Sequence, residues 1–115
     1  MEYSLMKTYV IDIDGTICTQ TAESKSDYDS SKPIQKRINI LNGLYDKGNT
    51  IIYFTARGMG RTSGNQTASN AIFYEKTLEQ LNEWGVKFHS LYLGKPAGDV
   101  YIDDKGINAN DFFKD

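Results

Sequence analysis

The chain has 115 residues, 39% of them apolar and 24% charged, and 13 basic against 15 acidic side chains give a formal net charge of −2. This size predicts one domain over residues 1–115, and the composition excludes disordered and fibrous proteins. A lone cysteine, Cys18, excludes an internal disulfide, and a lone histidine, His89, excludes a histidine-rich metal site. Because the chain is slightly acidic and has no apolar run of roughly 20 residues, we expect a cytoplasmic protein without nucleic-acid or membrane partners.

Strand-like and helix-like segments alternate along the first half of the chain. Residues 8–13, TYVIDI, predict a buried strand. An apolar stripe from Ile34 to Tyr45, preceded by Pro33, predicts a helix that ends near Gly48. Residues 50–55, TIIYFT, form a continuous apolar run, which is typical of a parallel strand covered on both faces.

The second half continues the alternation. Residues 56–66 form a glycine-rich loop, and the next helix ends near Trp84. Residues 90–93 and 100–102 predict two short strands, and Asn108 predicts the cap of a terminal helix. This order predicts an α/β fold with a Rossmann-like, doubly wound parallel sheet, in which ligands bind beyond the carboxyl ends of the strands. Apolar residues that fit the second helix are Ala71, Tyr74, Leu78 and Leu81.

Polar side chains follow the predicted strands at their carboxyl ends. Carboxylates about 4 Å apart repel by roughly 4 kcal/mol, so a cluster of them is expected to hold a cation. Oxygen ligands suit Mg²⁺, and an ammonium and a strand-end hydroxyl with free backbone amides would receive a phosphoryl group. These side chains are Asp12, Asp14, Thr55, Lys95, Asp103 and Asp104.

Two of these carboxylates have the spacing of a catalytic pair. Asp12 is the candidate nucleophile, because a carboxylate can form an aspartyl-phosphate that divides one difficult displacement into two easier ones. Asp14 lies two residues on, which places it on the same strand face, where it would protonate the leaving oxygen and then deprotonate water. These roles predict divergent pKa values for the pair.

Four motifs along the chain resemble those of a known superfamily. DIDGT at residues 12–16, Thr55 in YFTARG, Lys95 in LGKP and the acidic pair in YIDDK match, in order, the motifs of haloacid dehalogenase-like (HAD) phosphatases. Longer stretches, LYDKGNTIIYFTARGMG and EWGVKFHSLYLGKPAGDVYIDDKGIN, resemble the small HAD hydrolases of capsular polysaccharide biosynthesis. The resemblance covers nearly the whole chain.

The resemblance implies a role for each motif residue. Asp12 is implied to be the nucleophile and a Mg²⁺ ligand, and Asp14 the acid and base, with its backbone carbonyl also on the metal. Thr55 would hold the phosphate together with neighbouring backbone amides such as that of Ala56, and Lys95 would neutralise the phosphoryl oxygens. The last acidic pair is implied to serve the metal, Asp103 directly and Asp104 through water or by orienting Lys95.

The spacing between the motifs leaves no room for the cap domain that many members of the superfamily insert. Only residues 17–32 and the loop after the second strand would overhang the site. We therefore expect either a bulky substrate or a lid from a second copy in a homo-oligomer. Tyr28, Arg57 and Arg61 lie in these segments and are expected to contact the leaving group.

Three functions fit these observations. The first is a Mg²⁺-dependent phosphomonoesterase acting on a phosphorylated sugar or related metabolite of surface polysaccharide synthesis. The second is a 3′-phosphatase of nucleic-acid ends, because the phosphatase domain of phage polynucleotide kinase has comparable motifs. The third is a receiver domain that holds a phospho-aspartate as a signal, but receivers carry their acidic pair on the first strand, and here Asp103 and Asp104 come last.

Overall fold

The computed structural model describes residues 6–20, 28–59 and 62–115, and it shows a parallel β-sheet with helices between its strands. The predicted α/β class is therefore confirmed, as is the order strand, helix, strand, helix, strand. The regular elements are β1 (Thr8–Ile11), a 3-10 turn (Tyr28–Ser30), α1 (Gln35–Asp46), β2 (Thr50–Thr55), α2 (Gln66–Glu83), β3 (Ser90–Leu93) and α3 (Ala109–Phe113).

The three strands lie in the order β1-β2-β3 and all run in the same direction. Ile11 pairs with Tyr53, and Thr55 pairs with Leu93. The last residues of the three strands therefore lie at one edge of the sheet. This edge carries the loops in which the candidate functional residues stand.

One face of the sheet is buried and the other is largely open. In β2 every second residue is buried, Ile51, Tyr53 and Thr55, whereas the residues between them are partly exposed. On the open face, Val10 and Tyr92 are 60% and 56% exposed. The prediction that β2 is covered on both faces is wrong. The connection from β1 to β2 contains α1, and the connection from β2 to β3 contains α2. Both connections move the chain in the same direction across the sheet, so right-handed crossovers place both helices on the same face.

Helix α1 packs on this buried face much as its apolar stripe predicts. Ile38 and Leu41 are 0% and 1% exposed, and Leu44 and Tyr45 pack at the margin of the core. The helix ends at Asp46, and Gly48 follows with a φ of 99°. A glycine adopts this left-handed backbone at little cost, which explains why the helix stops there.

The predicted apolar stripe of helix α2 is confirmed in part, because Leu81 is fully buried and Tyr74 and Leu78 pack at the margin of the core. The buried residues of α2 are Ser69, Phe73, Thr77 and Leu81, whereas Ala71 is exposed. Hydrophobic periodicity predicts the face only in part because two of the buried positions carry hydroxyls. These hydroxyls are satisfied inside the protein: the Ser69 hydroxyl donates to the backbone carbonyl of Arg57 at 2.5 Å.

The predicted fourth strand, residues 100–102, does not form. Val100 and Ile102 are 74% and 92% exposed. The chain folds on itself here instead: the Tyr101 hydroxyl donates to the carbonyl of Pro96 at 2.6 Å and accepts from the N–H of Gly98 at 2.9 Å. Over the described residues the strand order therefore runs one way without reversing, and the doubly wound arrangement stays a prediction.

Helix α3 then returns the chain to the core. The Asn108 side chain accepts a hydrogen bond from the N–H of Asn110 at 2.9 Å, which confirms the predicted cap. Phe113 is buried against the core, and the Asp115 carboxylate forms a two-point ion pair with Arg37 of α1. None of the helices in the described part of the chain has the length and apolar character of a membrane span.

Candidate functional site

Two of the predicted catalytic residues lie close together at the carboxyl edge of the sheet. Asp12 follows β1 and Lys95 follows β3, and the Lys95 Nζ lies 3.9 Å from Asp12 Oδ1. The backbone N–H of Lys95 donates to the carbonyl of Thr55 at 3.2 Å, which anchors the lysine to the end of β2. The carboxylate and the ammonium both remain partly exposed, at 35% and 22% of their side-chain surfaces. A substrate can therefore reach both groups.

The environment of Asp12 acts on its charge in two directions. Burial raises the pKa of the Asp12 carboxyl, because a charge in a partly dehydrated place is less stable than one in water. The Lys95 ammonium opposes this rise, as do hydrogen bonds from the N–H of Ile13 and the side chain of Thr16. Lys95 is therefore the main group that favours the carboxylate form, which a nucleophile requires. The predicted divergence from the pKa of Asp14 stays a prediction.

Asp14 is held by Arg57 in a two-point ion pair. Arg57 Nε donates to Asp14 Oδ2 and Nη2 donates to Oδ1, each at 2.9 Å. The pair is enclosed, with 1% and 12% of the two side-chain surfaces exposed. Charge-assisted hydrogen bonds in this parallel geometry fix the orientation of a carboxylate as well as its position. Asp14 is thus the most rigidly held acidic group of the site.

Arg57 is itself surrounded by partners. Its Nη1 donates to Gln80 Oε1 at 2.7 Å, and its guanidinium lies 4.6 Å from the centre of the Tyr28 ring. The Tyr28 hydroxyl accepts from the N–H of Gly58 at 2.9 Å. The sequence predicts that Arg57 and Tyr28 contact a leaving group. The structure shows the Arg57 guanidinium paired with Asp14, with 1% of the arginine side chain exposed. Contact of Tyr28 with a leaving group stays a prediction. Arg61 lies outside the described residues.

Thr55 and Ala56 form the turn that follows β2. Thr55 is 1% exposed, and its hydroxyl accepts a hydrogen bond from the N–H of Arg57 at 3.1 Å. The hydroxyl therefore shapes the turn that carries Arg57 toward Asp14. Both residues lie at the edge that carries Asp12, as the sequence predicts, and phosphate binding by them stays a prediction.

The second acidic pair is not gathered into the site. Asp103 and Asp104 are exposed, and Asp103 Oδ1 accepts from the backbone N–H groups of Lys105 and Gly106 at 2.8 and 2.5 Å. These two bonds lower the pKa of Asp103, because they stabilise its charged form. Across residues 6–20, 28–59 and 62–115, no three acidic, histidine or cysteine side chains lie close enough to hold a metal ion together. Coordination by all four predicted aspartates stays a prediction.

One carboxylate of the predicted metal site remains reachable, and binding of Mg²⁺ by it stays a prediction. The Asp12 carboxylate is partly exposed and lies 3.9 Å from the Lys95 ammonium. Mg²⁺ binds through one or two carboxylates, keeps several waters and shares a substrate phosphate. One reachable carboxylate can therefore provide the first protein ligand. Both side-chain oxygens of Asp14, in contrast, accept hydrogen bonds from Arg57.

Two residues in this network were not identified from the sequence. Gln80 accepts from Arg57 and donates to the carbonyl of Tyr28 at 2.8 Å, but a glutamine in the middle of a helix carries no distinguishing signal. Tyr101 lies with its ring centre 4.4 Å from the Lys95 Nζ. Its position in an apolar run two residues before Asp103 suggests a strand residue instead of a partner for a lysine.

Comparison with known proteins supports the fold and leaves the chemistry open. No protein-family model and no curated protein matches the chain. Among solved structures, the chain is similar to a structural-genomics target protein from Vibrio cholerae. The TM-score is 0.82 at 26% sequence identity, and the match covers 94% of this chain and 88% of that one. The α/β architecture is therefore shared with a protein of nearly the same extent.

Proposed function

We propose that this protein is a Mg²⁺-dependent phosphomonoesterase of the HAD type, which forms an aspartyl-phosphate on Asp12. The observation that carries the proposal is the approach of Lys95 Nζ to within 3.9 Å of Asp12 Oδ1 at the carboxyl edge of the sheet. Two of the four motifs supply this pair, from sequence positions 83 residues apart, and the two side chains lie close together in the fold. The doubly wound topology of that superfamily is part of the proposal.

In the first chemical step an Asp12 carboxylate oxygen attacks the phosphorus atom. The bond from phosphorus to the ester oxygen breaks, and that oxygen leaves with a proton delivered by Asp14. Lys95 stabilises the negative charge that the phosphoryl oxygens carry, and Thr55 with the amides of its turn holds the same group. In the second step water attacks the phosphorus atom and Asp14 takes a proton from that water. The bond between phosphorus and the Asp12 oxygen breaks, which releases inorganic phosphate and regenerates the Asp12 carboxylate.

Mg²⁺ would be held by Asp12, with the Asp14 backbone carbonyl and Asp103 as the further ligands that the resemblance implies. Asp104 would bind the metal through water or orient Lys95. When bound, it would supply positive charge to the phosphoryl oxygens. The side chain of Asp14 acts apart from the metal in this scheme. Its two bonds from Arg57 hold the carboxylate in one orientation. In the first step of this scheme Asp14 has to carry its proton within that ion pair.

The proposed substrate is a phosphorylated sugar or a related metabolite of surface polysaccharide synthesis. The resemblance to the small HAD hydrolases of capsule biosynthesis supports this choice. The open edge also supports it, because Asp12 and Lys95 are partly exposed and a bulky ester can approach them. A lid supplied by a second copy of the chain is the alternative to a bulky substrate.

Replacement of the nucleophile tests the mechanism. We expect Asp12→Asn to lower kcat/KM by roughly 10³-fold or more, because the amide cannot form the phosphorylated intermediate. Asp46→Asn is the matched control, since Asp46 ends α1 and pairs with Lys87 at the surface, with 56% of its side chain exposed. Phosphate release from a panel of sugar phosphates measures both variants. Chelation of Mg²⁺ should stop the wild type reversibly, and full activity after either change would rule out the mechanism.

A further inference from the structure

The ring of Tyr101 lies against Lys95, the lysine of the proposed catalytic pair. The Lys95 Nζ is 4.4 Å from the centre of that ring, a distance at which an ammonium is attracted to the face of an aromatic ring. The same Nζ lies 3.9 Å from Asp12 Oδ1. The ammonium therefore has two neighbours that attract it, a carboxylate and a ring, and the resemblance assigns a role only to the carboxylate.

The contacts of Lys95 with its other neighbours do not fix the ammonium. The bond from the Lys95 N–H to the carbonyl of Thr55 holds the backbone, but the charge stands at the end of a flexible four-carbon stem. The separation from Asp12 Oδ1 is longer than the roughly 2.7–2.9 Å of a charge-assisted hydrogen bond. Ion pairs between partly exposed groups contribute little to holding two side chains in one geometry. A further contact is needed to keep the ammonium beside the carboxylate.

The Tyr101 ring is anchored to the backbone next to the lysine. Its hydroxyl donates to the carbonyl of Pro96 at 2.6 Å and accepts from the N–H of Gly98 at 2.9 Å. Pro96 follows Lys95 directly, so the loop from the lysine to the tyrosine is closed by the tyrosine's own hydroxyl. A ring held in this way presents its face to the ammonium at a fixed place, which the lysine stem alone does not provide.

Packing in the core does not account for the place of Tyr101. The residue is 53% exposed and lies in a segment without regular structure. Tyr92, on the open face of the sheet, is 56% exposed, and the ring that Lys95 contacts is that of Tyr101. Two tyrosines of the same exposure therefore differ in that one of them lies against the catalytic lysine. This pair offers a comparison in which exposure is matched and the contact is not.

We propose that Tyr101 is a positioning residue, whose ring holds the Lys95 ammonium beside Asp12, where the phosphoryl group is bound. The inference rests on the proposed function for the role of Lys95 in the reaction. It adds a residue to which neither the motifs nor that function assigns a role. Tyr101 acts through the lysine and does not touch the substrate. Its replacement should therefore slow the reaction only in a protein that retains the lysine.

The first test is a double-mutant cycle on kcat/KM for the sugar phosphate that the wild type hydrolyses fastest. Tyr101→Leu is expected to lower kcat/KM about fivefold to tenfold, because leucine has no ring face for the ammonium. In a Lys95→Met background the same change should have less than about a twofold effect. Tyr101→Phe, which keeps the ring, should retain more activity than Tyr101→Leu. Tyr92→Leu is the matched control and should stay within about twofold. Equal losses with and without Lys95, or an equal loss in Tyr92→Leu, would overturn the proposal.

The second test needs no turnover, and it decides the case where Lys95→Met has too little activity to measure. Protons above the face of an aromatic ring resonate upfield, and the ε-methylene signal of Lys95 is assigned by its absence from the NMR spectrum of Lys95→Met. We expect this signal upfield of those of exposed lysines in the wild type, in Tyr101→Phe and in Tyr92→Leu, and back among them in Tyr101→Leu. It should stay upfield when Mg²⁺ is added. A wild-type signal without the upfield shift, a signal that Tyr101→Leu leaves in place, or loss of the shift with Mg²⁺ contradicts the proposal.

The two proposals fail in different ways. Hydrolysis of sugar phosphates by the wild type, with a Lys95 signal that does not depend on Tyr101, would remove the positioning role and keep the phosphatase. An upfield Lys95 signal that is lost in Tyr101→Leu, in a protein that hydrolyses no ester, would keep Tyr101 as the residue that positions the lysine and remove the proposed chemistry.

Discussion

The two halves of the candidate site differ in how firmly the fold holds them. The inner half, Asp14 with Arg57 and Gln80, is enclosed, and 1% of the Arg57 side chain is exposed. The outer half is the segment of residues 95–107, called the outer segment below. It has no regular structure, and Ile102 within it is 92% exposed. Both halves carry acidic residues with equally clear motifs. Motif strength in the sequence therefore does not predict how rigidly a residue is held.

The difference follows from strand pairing. Asp14 stands just beyond β1, which pairs with β2 along its whole length, and Arg57 stands just beyond β2 itself. Each strand fixes the direction in which the chain leaves the sheet, so the two side chains meet. Asp103 follows a segment that pairs with no described strand, and its carboxylate binds the nearest backbone N–H groups instead.

Thiol reactivity should show the largest contrast between the halves. Cys18 is fully buried beside the inner half, and its Sγ lies 3.5 Å from Asp14 Oδ1. Burial raises the pKa of the Cys18 thiol to about 12, so almost no reactive thiolate exists at neutral pH. An Ile102→Cys variant provides an exposed thiol for comparison. We expect an aromatic disulfide reagent to modify position 102 roughly 10³-fold faster than Cys18, and comparable rates would show that the inner half opens readily.

Stability should respond strongly to loss of the inner ion pair. Arg57→Gln is expected to lower the free energy of unfolding by about 3 kcal/mol, because it leaves the enclosed Asp14 charge without its partner. Lys76→Met breaks the surface pair with Asp29, whose side chains are 63% and 77% exposed, and should cost less than about 1 kcal/mol. Denaturant titration measures both variants. Equal losses would mean that water reaches the Arg57 and Asp14 pair as freely as the surface pair.

The sequence predicts the inner half only in part. DIDGT and the apolar runs of β1 and β2 place Asp14 and Arg57 at the same edge of the sheet. Alternation and helix periodicity record apolar surface, however, and Arg57 is buried among Thr77, Gln80 and Tyr28 by hydrogen bonds and ring contacts. Such partners leave no periodic signal. For this reason the sequence predicts that Arg57 contacts a substrate, whereas in the fold Arg57 is paired with Asp14.

The outer segment shows the opposite limitation. VYI at residues 100–102 has the β-branched and aromatic composition of a strand, and composition does not tell whether a neighbouring strand is present. The acidic pair that follows has the same dependence, since the prediction that it converges on Asp12 requires a fourth strand at the shared edge of the sheet. Asp12 and Lys95, which follow strands that do form, lie where the sequence places them.

A smaller effect is expected where the chain returns from the outer segment to the core. Arg37 donates to both Asp115 carboxylate oxygens, at 2.8 and 2.9 Å, and this ion pair lowers the pKa of Asp115. A lowered folded-state pKa stabilises the protein above the unfolded value of about 3.9, and the contribution is lost as the pH falls through the folded value. Wild type should therefore melt a few degrees above Asp115→Asn at neutral pH, and the gap should close in acid. Asp99→Asn, in the exposed outer segment, is the control, and a gap independent of pH would contradict the assignment.

The smallest expected effect tests whether the outer segment remains unpaired in solution. Ile102→Ser should change the free energy of unfolding by less than about 0.5 kcal/mol, because a side chain that is 92% exposed loses little on replacement. Leu41→Ala, at a position 1% exposed in α1, should cost about 3 kcal/mol and shows that the measurement detects lost packing. A cost above about 1.5 kcal/mol for Ile102→Ser would mean that this side chain is buried. Residues 100–102 would then pack as the fourth strand that their composition predicts, and Asp103 would be drawn toward Asp12.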